Sequence, residues 1–381
     1  MTIATVQPGV HELTEKSDAR HGTERFPKTV RTLLWTLVLL SALEGGLRMR
    51  SWIRHGASGP VSDLYVDDAR LGRRLRPEAL IEGTTRKVRI DSFGFRGPEI
   101  SLIKPPGTLR IATIGDSTTF GMEASSDDAT WVRRMEAFLN ANDDPSLSDR
   151  GRRFEAINAA IPGFTLETAG LHFFNDVERF SPDVVVVTAL ATDIAAHSRR
   201  QFGGQARKLG TTTGMSRWLG EHSLLVNLLR QNTAAFRARQ FAAVRHDRLD
   251  DEGVARYRQA LEQLVDRCVA RGIQPILSTW ARAFRGASHG DQYTLATTAL
   301  ANNPALSLKG LNDAFDRYNE AIREVAQEKG VVLVDLDRLV PAGEKYFADA
   351  IHLNDAGHAL VGRLMAEAII KSRPSVGAGG D

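Results

Sequence analysis

The sequence predicts an α/β fold, a three-layer sandwich built on a mostly parallel five-stranded sheet. Two patterns carry that prediction. Five apolar runs of strand length recur beyond residue 107, near 109–114, 154–158, 183–188, 273–279 and 331–336. Between them lie stretches of helical period, the signature of βαβ units with helices on both faces of the sheet. Composition agrees: 381 residues, 42% of them hydrophobic, suffice for a core without staples.

Taken in order, residues 1–27 mix Gly, Pro, Ser, Thr and both signs of charge without apolar period, the composition of a disordered tail. Residues 33–43 (LLWTLVLLSAL) are almost free of polar groups and are flanked by Lys28 and Arg31 before and Arg48, Arg50 and Arg54 after. This stretch, within 28–50, is the membrane candidate; its strictly apolar part is shorter than the roughly 20 residues of a full span, and flanking arginines can snorkel to lengthen it. Basic residues on both sides leave its orientation open. Residues 51–106 read as a lead-in with short strands and turns, including Phe93-Gly-Phe-Arg-Gly97.

Within 107–373, Trp131, Val132, Met135, Phe138 and Leu139 form one helical stripe, and Val254, Tyr257, Leu261, Leu264, Val265 and Cys268 a second that ends at Gly272. A third joins Leu311, Phe315, Tyr318, Ile322 and Val325 before Gly330, and a last helix begins near Asn354 or Asp355. The stretches 197–251 and 281–307 exceed what a compact sheet needs as connections and read as insertions. Residues 374–381 read as a flexible tail.

A net charge of +3, from 49 Lys and Arg against 46 Asp and Glu, is spread along the chain and argues against nucleic acid as a partner. A single cysteine excludes an internal disulfide and any multi-cysteine metal cluster. His172, His197, His222, His246 and His289 are scattered without metal spacing, so no metal is expected. No phosphate-cradling glycine loop occurs, and no cofactor is expected. Arg199, Arg200, Arg207 and Lys208 form a basic cluster best read as solvated surface.

In open parallel sheets ligands bind beyond the carboxyl ends of the strands, which is where the polar blocks fall. Gly115-Asp116-Ser117 follows the first strand and presents a serine at the sheet edge; Thr119 stands where the second glycine of a G-x-S-x-G elbow would be. Gly163 follows the second strand and can offer an unhindered N–H to a developing oxyanion. After the fifth comes Asp349-Ala-Ile-His352, a spacing that lets the Asp hold one imidazole nitrogen and leave the other facing a nucleophile. A second D-x-x-H, Asp355 to His358, falls where the last helix begins, so Asp355 reads as a helix cap and His358 as a helix-face residue.

In this order of blocks the chain resembles the SGNH, or GDSL, hydrolase superfamily over about residues 107–372, and in its apolar segment with Glu44 and Arg48 it resembles the membrane-anchored bacterial members. The resemblance implies a flavodoxin-like sheet and a serine esterase or acyl hydrolase, with Ser117 as nucleophile, His352 as base then acid, and Asp349 orienting His352. It places the N–H groups of Ser117 and Gly163 in an oxyanion hole. The family usually has G-x-N-D after the third strand, with the Asn completing that hole; here the residues are Leu190-Ala191-Thr192-Asp193, so Thr192 stands in the Asn position. Loss of one such donor costs about 3 kcal/mol. The implied substrates are O-acylated, notably O-acetylated, carbohydrates, lipids or small esters of the cell envelope. Location would be at the membrane with the catalytic domain outside the cytoplasm, the alternative being a cytoplasmic protein. Acyl transfer to a glycan hydroxyl, or a binding protein with an impaired site, are the alternative functions.

Overall fold

The computed structural model describes residues 27–55, 64–82, 86–141, 153–203, 223–226, 228–229, 245–285 and 291–372. Outside these lie residues 1–26 and 373–381, which take in the expected tails (1–27 and 374–381) apart from residue 27, most of the first insertion with Arg207, Lys208 and His222, and residues 286–290 with His289. The chain divides into two units, Met1–Leu43 and Glu44–Asp381.

Helix α1 (Lys28–His55) carries a stretch, Lys28–Ile53, long and apolar enough to cross a membrane by length and composition. Leu33, Trp35, Leu37 and Leu39 on it are all exposed. At the start of the second unit, Glu44 accepts from Arg48 Nε (2.8 Å), from Ser223 Oγ (2.9 Å) and from the backbone N–H groups of Leu224 (3.0 Å) and Leu225 (2.9 Å).

The lead-in folds as two antiparallel hairpins, β1 (Tyr65–Asp68) with β2 (Gly72–Leu75) and β3 (Leu80–Glu82) with β4 (Lys87–Arg89). They are integral to the larger core: Leu64, Leu71, Leu75, Val88, Ile90, Phe95 and Ile100 are buried in one cluster with residues of the central sheet. The Phe93–Gly97 turn explains how. Asp91 accepts from the N–H of Phe93 and Phe95 (2.9 and 2.8 Å), setting the turn, and Phe93 and Phe95 then pack edge-on against Phe180. Arg96 runs inward, donating to the carbonyls of Phe120 (3.0 Å) and Gly121 (2.6 Å) and to Asp127 (2.8 Å).

The central sheet comprises β5 (Thr108–Gly115), β6 (Arg153–Asn158), β7 (Val184–Thr188), β8 (Gln274–Ser278) and β9 (Val332–Val334). Its order is β6-β5-β7-β8-β9 and every pairing is parallel. All five expected strands are present. Strand residues alternate between two cores: Ile111, Val184, Val186 and Ile276 face one side, Ala112, Ile114, Val185, Val187 and Leu277 the other. The first side is covered by α3 (Trp131–Ala141) and α10 (Asp355–Ser372), the second by α6 (Asp251–Val269) and α8 (Leu308–Lys329). These helices bury the stripes expected of them, Cys268 included, with Phe138 and Val254 only half-buried against the core. Asp250 caps α6 by accepting from Gly253 N, and Ser307 caps α8 by accepting from Gly310 N.

Two readings change. Helix α10 is capped by Asn354, whose Oδ1 accepts from Gly357 N at 3.0 Å, whereas Asp355 reaches away to the N–H and hydroxyl of Ser125 (2.9 and 2.6 Å). A carboxylate with two donors waiting on a neighbouring loop is better satisfied there than on its own helix end. The run from 281 to 307 begins in the core, with Ala281, Arg282, Ala283 and Phe284 buried, and holds a helix at Asp291–Asn302.

Candidate active site

The chain order places β5 at the point where successive connections leave in opposite directions, to β6 on one side and β7 on the other. Such a point opens a crevice at the carboxyl ends of the strands. Gly115, the last residue of β5, has no room for a side chain, because a Cβ there would lie 2.6 Å from Thr119 Oγ1 and 2.9 Å from Thr188 Oγ1. The chain turns there into a one-turn helix, α2 (Ser117–Phe120), which Asp116 caps by accepting from Thr118 N at 3.1 Å. Ser117 is thereby held half-buried at the start of a helix.

The structure brings Asp349, His352 and Ser117 into one chain of hydrogen bonds. Ser117 Oγ lies 2.7 Å from His352 Nε2, and His352 Nδ1 lies 2.7 Å from Asp349 Oδ2. The other carboxylate oxygen of Asp349 accepts from the backbone N–H groups of Ile351 (2.9 Å) and His352 (2.8 Å), so the three-residue spacing works by folding the loop around the carboxylate. Ala348 N donates to His352 O at 2.8 Å and closes the loop.

Electrostatics follow from these contacts. Burial would raise the Asp349 carboxyl, but the hydrogen bond and charge of His352 and the two backbone donors outweigh it and hold it below the usual range. For His352, burial disfavours the imidazolium; the bond and charge of Asp349, then the charges of Asp116 and Glu123, outweigh that and raise its pKa. With Nδ1 facing a carboxylate, Nε2 is the lone-pair nitrogen turned to the serine hydroxyl, the arrangement that can accept its proton.

Gly163 lies beside this group. Beyond paired Thr113 and Asn158 the chain after β6 continues alongside β5, with Ala159 N donating to Thr113 O (3.0 Å) and Ile161 N to Gly115 O (3.2 Å). Gly163, two residues further on, is exposed and adopts φ +83°, a conformation natural to glycine. Thr192 is placed differently from the expectation for an oxyanion donor. It is the second residue of α5 (Ala191–Phe202), and both its hydroxyl (3.2 Å) and its N–H (3.4 Å) donate to Asp116 Oδ2. Asp116 thus sits at the amino ends of two helices, and burial pushes its carboxyl up to about 6 despite those donors. Behind it Asp193, half-buried, accepts from Leu166 N and is pushed up to about 8 by burial.

His358 is buried and its Nδ1 accepts from Trp131 N at 3.2 Å, an arrangement that needs a neutral ring; burial brings its pKa down to about 3. It serves the start of α3 and lies outside the hydrogen-bonded chain of Ser117. The sequence reading did not single out Glu123, whose charge acts on His352, or the arginines that the hairpins bring near, Arg86 paired with Glu123 and Arg73 against Gly163. No spacing marks the two arginines, because they are brought there by tertiary packing of the lead-in. Among the described residues no group of His, Cys, Asp and Glu is arranged to hold a metal ion.

Comparison with known proteins adds the family. The model of the GDSL-like lipase/acylhydrolase family matches residues 113–360, more than half of the chain. Solved structures to which the chain is similar include the acetyl xylan esterase AlAXEase (17% identity over 68% of this chain and 100% of that one, TM-score 0.40). A catalytic mutant of an acetylxylan esterase from Geobacillus stearothermophilus matches at 16% identity, over 68% of this chain and 94% of that one, with TM-score 0.42. A lipase/acylhydrolase from Enterococcus faecalis matches at 16% identity, over 71% and 100%, with TM-score 0.41. No relative was found among curated proteins. On the family match, with its Gly115-Asp116-Ser117 block at the end of β5, the chain belongs to the GDSL-like lipase/acylhydrolase family and is an ester-hydrolysing enzyme.

Proposed function

We propose that the protein is a serine esterase acting through an acyl-Ser117 intermediate, and that Asp349 and His352 are the partners of Ser117. The observation that carries this reading is the unbroken chain of 2.7 Å contacts from Asp349 through His352 to the Ser117 hydroxyl. Ser117 Oγ attacks the acyl carbonyl as His352 Nε2 takes its proton; His352 then returns that proton to the departing alkoxide oxygen. Water, deprotonated by the same nitrogen, attacks the acyl-serine and releases the acid, and the proton returns to Ser117. Asp349 keeps the proton of His352 on Nδ1 and stabilises the imidazolium formed in each half-reaction. The N–H groups of Ser117 and Gly163 form the oxyanion hole, while Thr192 acts indirectly, by fixing Asp116 under the Ser117 turn.

The substrate class proposed is an O-acylated, notably O-acetylated, carbohydrate, lipid or small ester of the cell envelope. With the apolar helix α1 as a single amino-terminal membrane anchor, the catalytic domain sits outside the cytoplasm. Hydrolysis of 4-nitrophenyl acetate by the full chain and by its Ser117→Ala variant tests the chemistry. The variant is expected to lose at least a thousandfold in kcat and all labelling by a fluorophosphonate; undiminished turnover overturns the assignment.

A further inference from the structure

Arg73 stands on β2, in the lead-in hairpin, and its guanidinium lies directly against Gly163: a Cβ on that glycine would collide with Arg73 Nη2. One N–H of Nη2 donates to the carbonyl of Pro162, and the guanidinium carbon lies 4.7 Å from the centroid of the Tyr65 ring, which supports it from below. These contacts fix the group in place yet consume one of five N–H donors. The other lead-in arginines that reach the body of the domain are committed to carboxylates: Arg70 to Asp176, Arg86 to Glu123 and Arg96 to Asp127. Arg73 makes no ion pair among the described residues, although Asp67 stands opposite it across the β1–β2 hairpin, and it is exposed. Gly163 lies two residues beyond the Ile161–Gly115 bond on one strand, as Ser117 lies two residues beyond it on the other. The cation therefore stands against Gly163, the residue proposed above as an oxyanion donor, oriented by an aromatic ring and a carbonyl, with its remaining donors open.

We propose that Arg73 is a specificity-determining residue that binds an anionic group, a carboxylate or a phosphate, carried by the ester substrate. The proposal rests on the serine esterase reading and narrows its substrate to acyl esters with a negative charge close to the scissile bond. A planar guanidinium with free N–H groups matches either oxyanion by paired hydrogen bonds, and without an ion pair among the described residues that fork is left for the ligand.

Three acetyl esters of one size test it: neutral 4-acetoxybenzamide, 4-acetoxybenzoate and 4-acetoxyphenyl phosphate. Arg73→Gln is expected to lower kcat/KM about 10- to 100-fold for an anionic ester, mainly through KM, and to leave the neutral one within about twofold. Arg73→Lys should keep part of the preference. Which anionic ester responds more identifies carboxylate or phosphate. Equal changes for all three esters, or none, overturn the proposal, since a residue that only braced the Pro162–Gly163 turn would affect every ester alike. A binding arm separates this from the chemistry: succinate or inorganic phosphate should raise the Tm of the Ser117→Ala protein, and the rise should vanish on adding Arg73→Gln. If no ester is hydrolysed but that rise behaves as expected, the esterase reading fails and the anion site stands; if neither anion raises the Tm, the site fails.

Discussion

Two histidines in this molecule form nearly the same pair with an aspartate and turn the other nitrogen to different hydroxyls, which under the proposed mechanism gives them opposite uses. His352 holds Asp349 through Nδ1 at 2.7 Å and turns Nε2 to Ser117 Oγ. His197, buried on α5, holds Asp250 through Nε2, also at 2.7 Å, and turns Nδ1 to the hydroxyl of Tyr318 at 3.0 Å. The difference lies in what faces the second nitrogen. Ser117 follows a strand end and keeps part of its surface exposed. The Tyr318 hydroxyl is pushed well above its ordinary pKa by burial, and the His197 ring is closed in by Gly253, where any Cβ would overlap it. Asp250 is moreover the cap of α6, so that pair ties α5 to the start of α6. A histidine–carboxylate pair becomes chemistry only when its free nitrogen meets an accessible nucleophile; otherwise it is a joint between helices.

The largest effects should therefore separate cleanly. His352→Ala, like Ser117→Ala, is expected to lower kcat on 4-nitrophenyl acetate by at least about a thousandfold, with circular dichroism and Tm close to the parent protein. His197→Ala should do the reverse. It removes a buried ring and leaves the Tyr318 hydroxyl and the cap of α6 short of a partner, a cost of about 2–4 kcal/mol in urea unfolding with kcat within about threefold. A folded His197→Ala protein without activity would break the comparison.

The carboxylates sharpen it. Asp349→Asn removes the charge that raises the pKa of His352 and offers an amide where an acceptor is needed, so kcat should fall about a hundred- to ten-thousandfold. The pH profile reports the same contact. The proposed mechanism needs neutral His352, whose pKa is raised above the ordinary histidine value of 6.5, so kcat/KM should fall as pH drops through a midpoint above 6.5. In Asp349→Asn the residual activity should persist to lower pH, because the raising influence is gone. Asp250→Asn should leave that midpoint unmoved.

The same contrast explains how much was legible in the sequence. The five strands were readable because buried parallel strands are apolar on both faces; the Ser117 and Gly163 blocks stood out because each closely follows a strand, and Asp349–His352 because it falls in the loop ahead of the last helix. Asp349 and His352 are three residues apart, so one loop builds their contact. His197 and Asp250 are 53 residues apart and join through the packing of two helices, which no local pattern encodes. Arg73 and Arg86 were hidden for the same reason, since Phe93, Phe95 and Arg96 dock the lead-in on the domain through long-range contacts. Asn354 and Asp355 are adjacent, polar and both good caps; only the position of Ser125 decides between them.

The smallest effect is the most discriminating, because it asks what the Thr192 hydroxyl does. That hydroxyl donates to Asp116, whose carboxyl burial already pushes up to about 6, with the N–H of Thr118, the charge of His352 and the Thr192 donors opposing the rise. In Thr192→Val one of those donors is lost, so the Asp116 pKa climbs further and the carboxyl holds its proton to a higher pH. A neutral Asp116 no longer helps to raise His352, so the acid limb of the pH profile should move down, by about half a pH unit, with kcat at pH 8 within about threefold of the parent. A donor aimed at the oxyanion predicts the opposite pair of results: kcat lower by about a hundredfold at every pH, with the midpoint unmoved. One pH profile of one variant thus distinguishes a residue that tunes the base from one that holds the transition state.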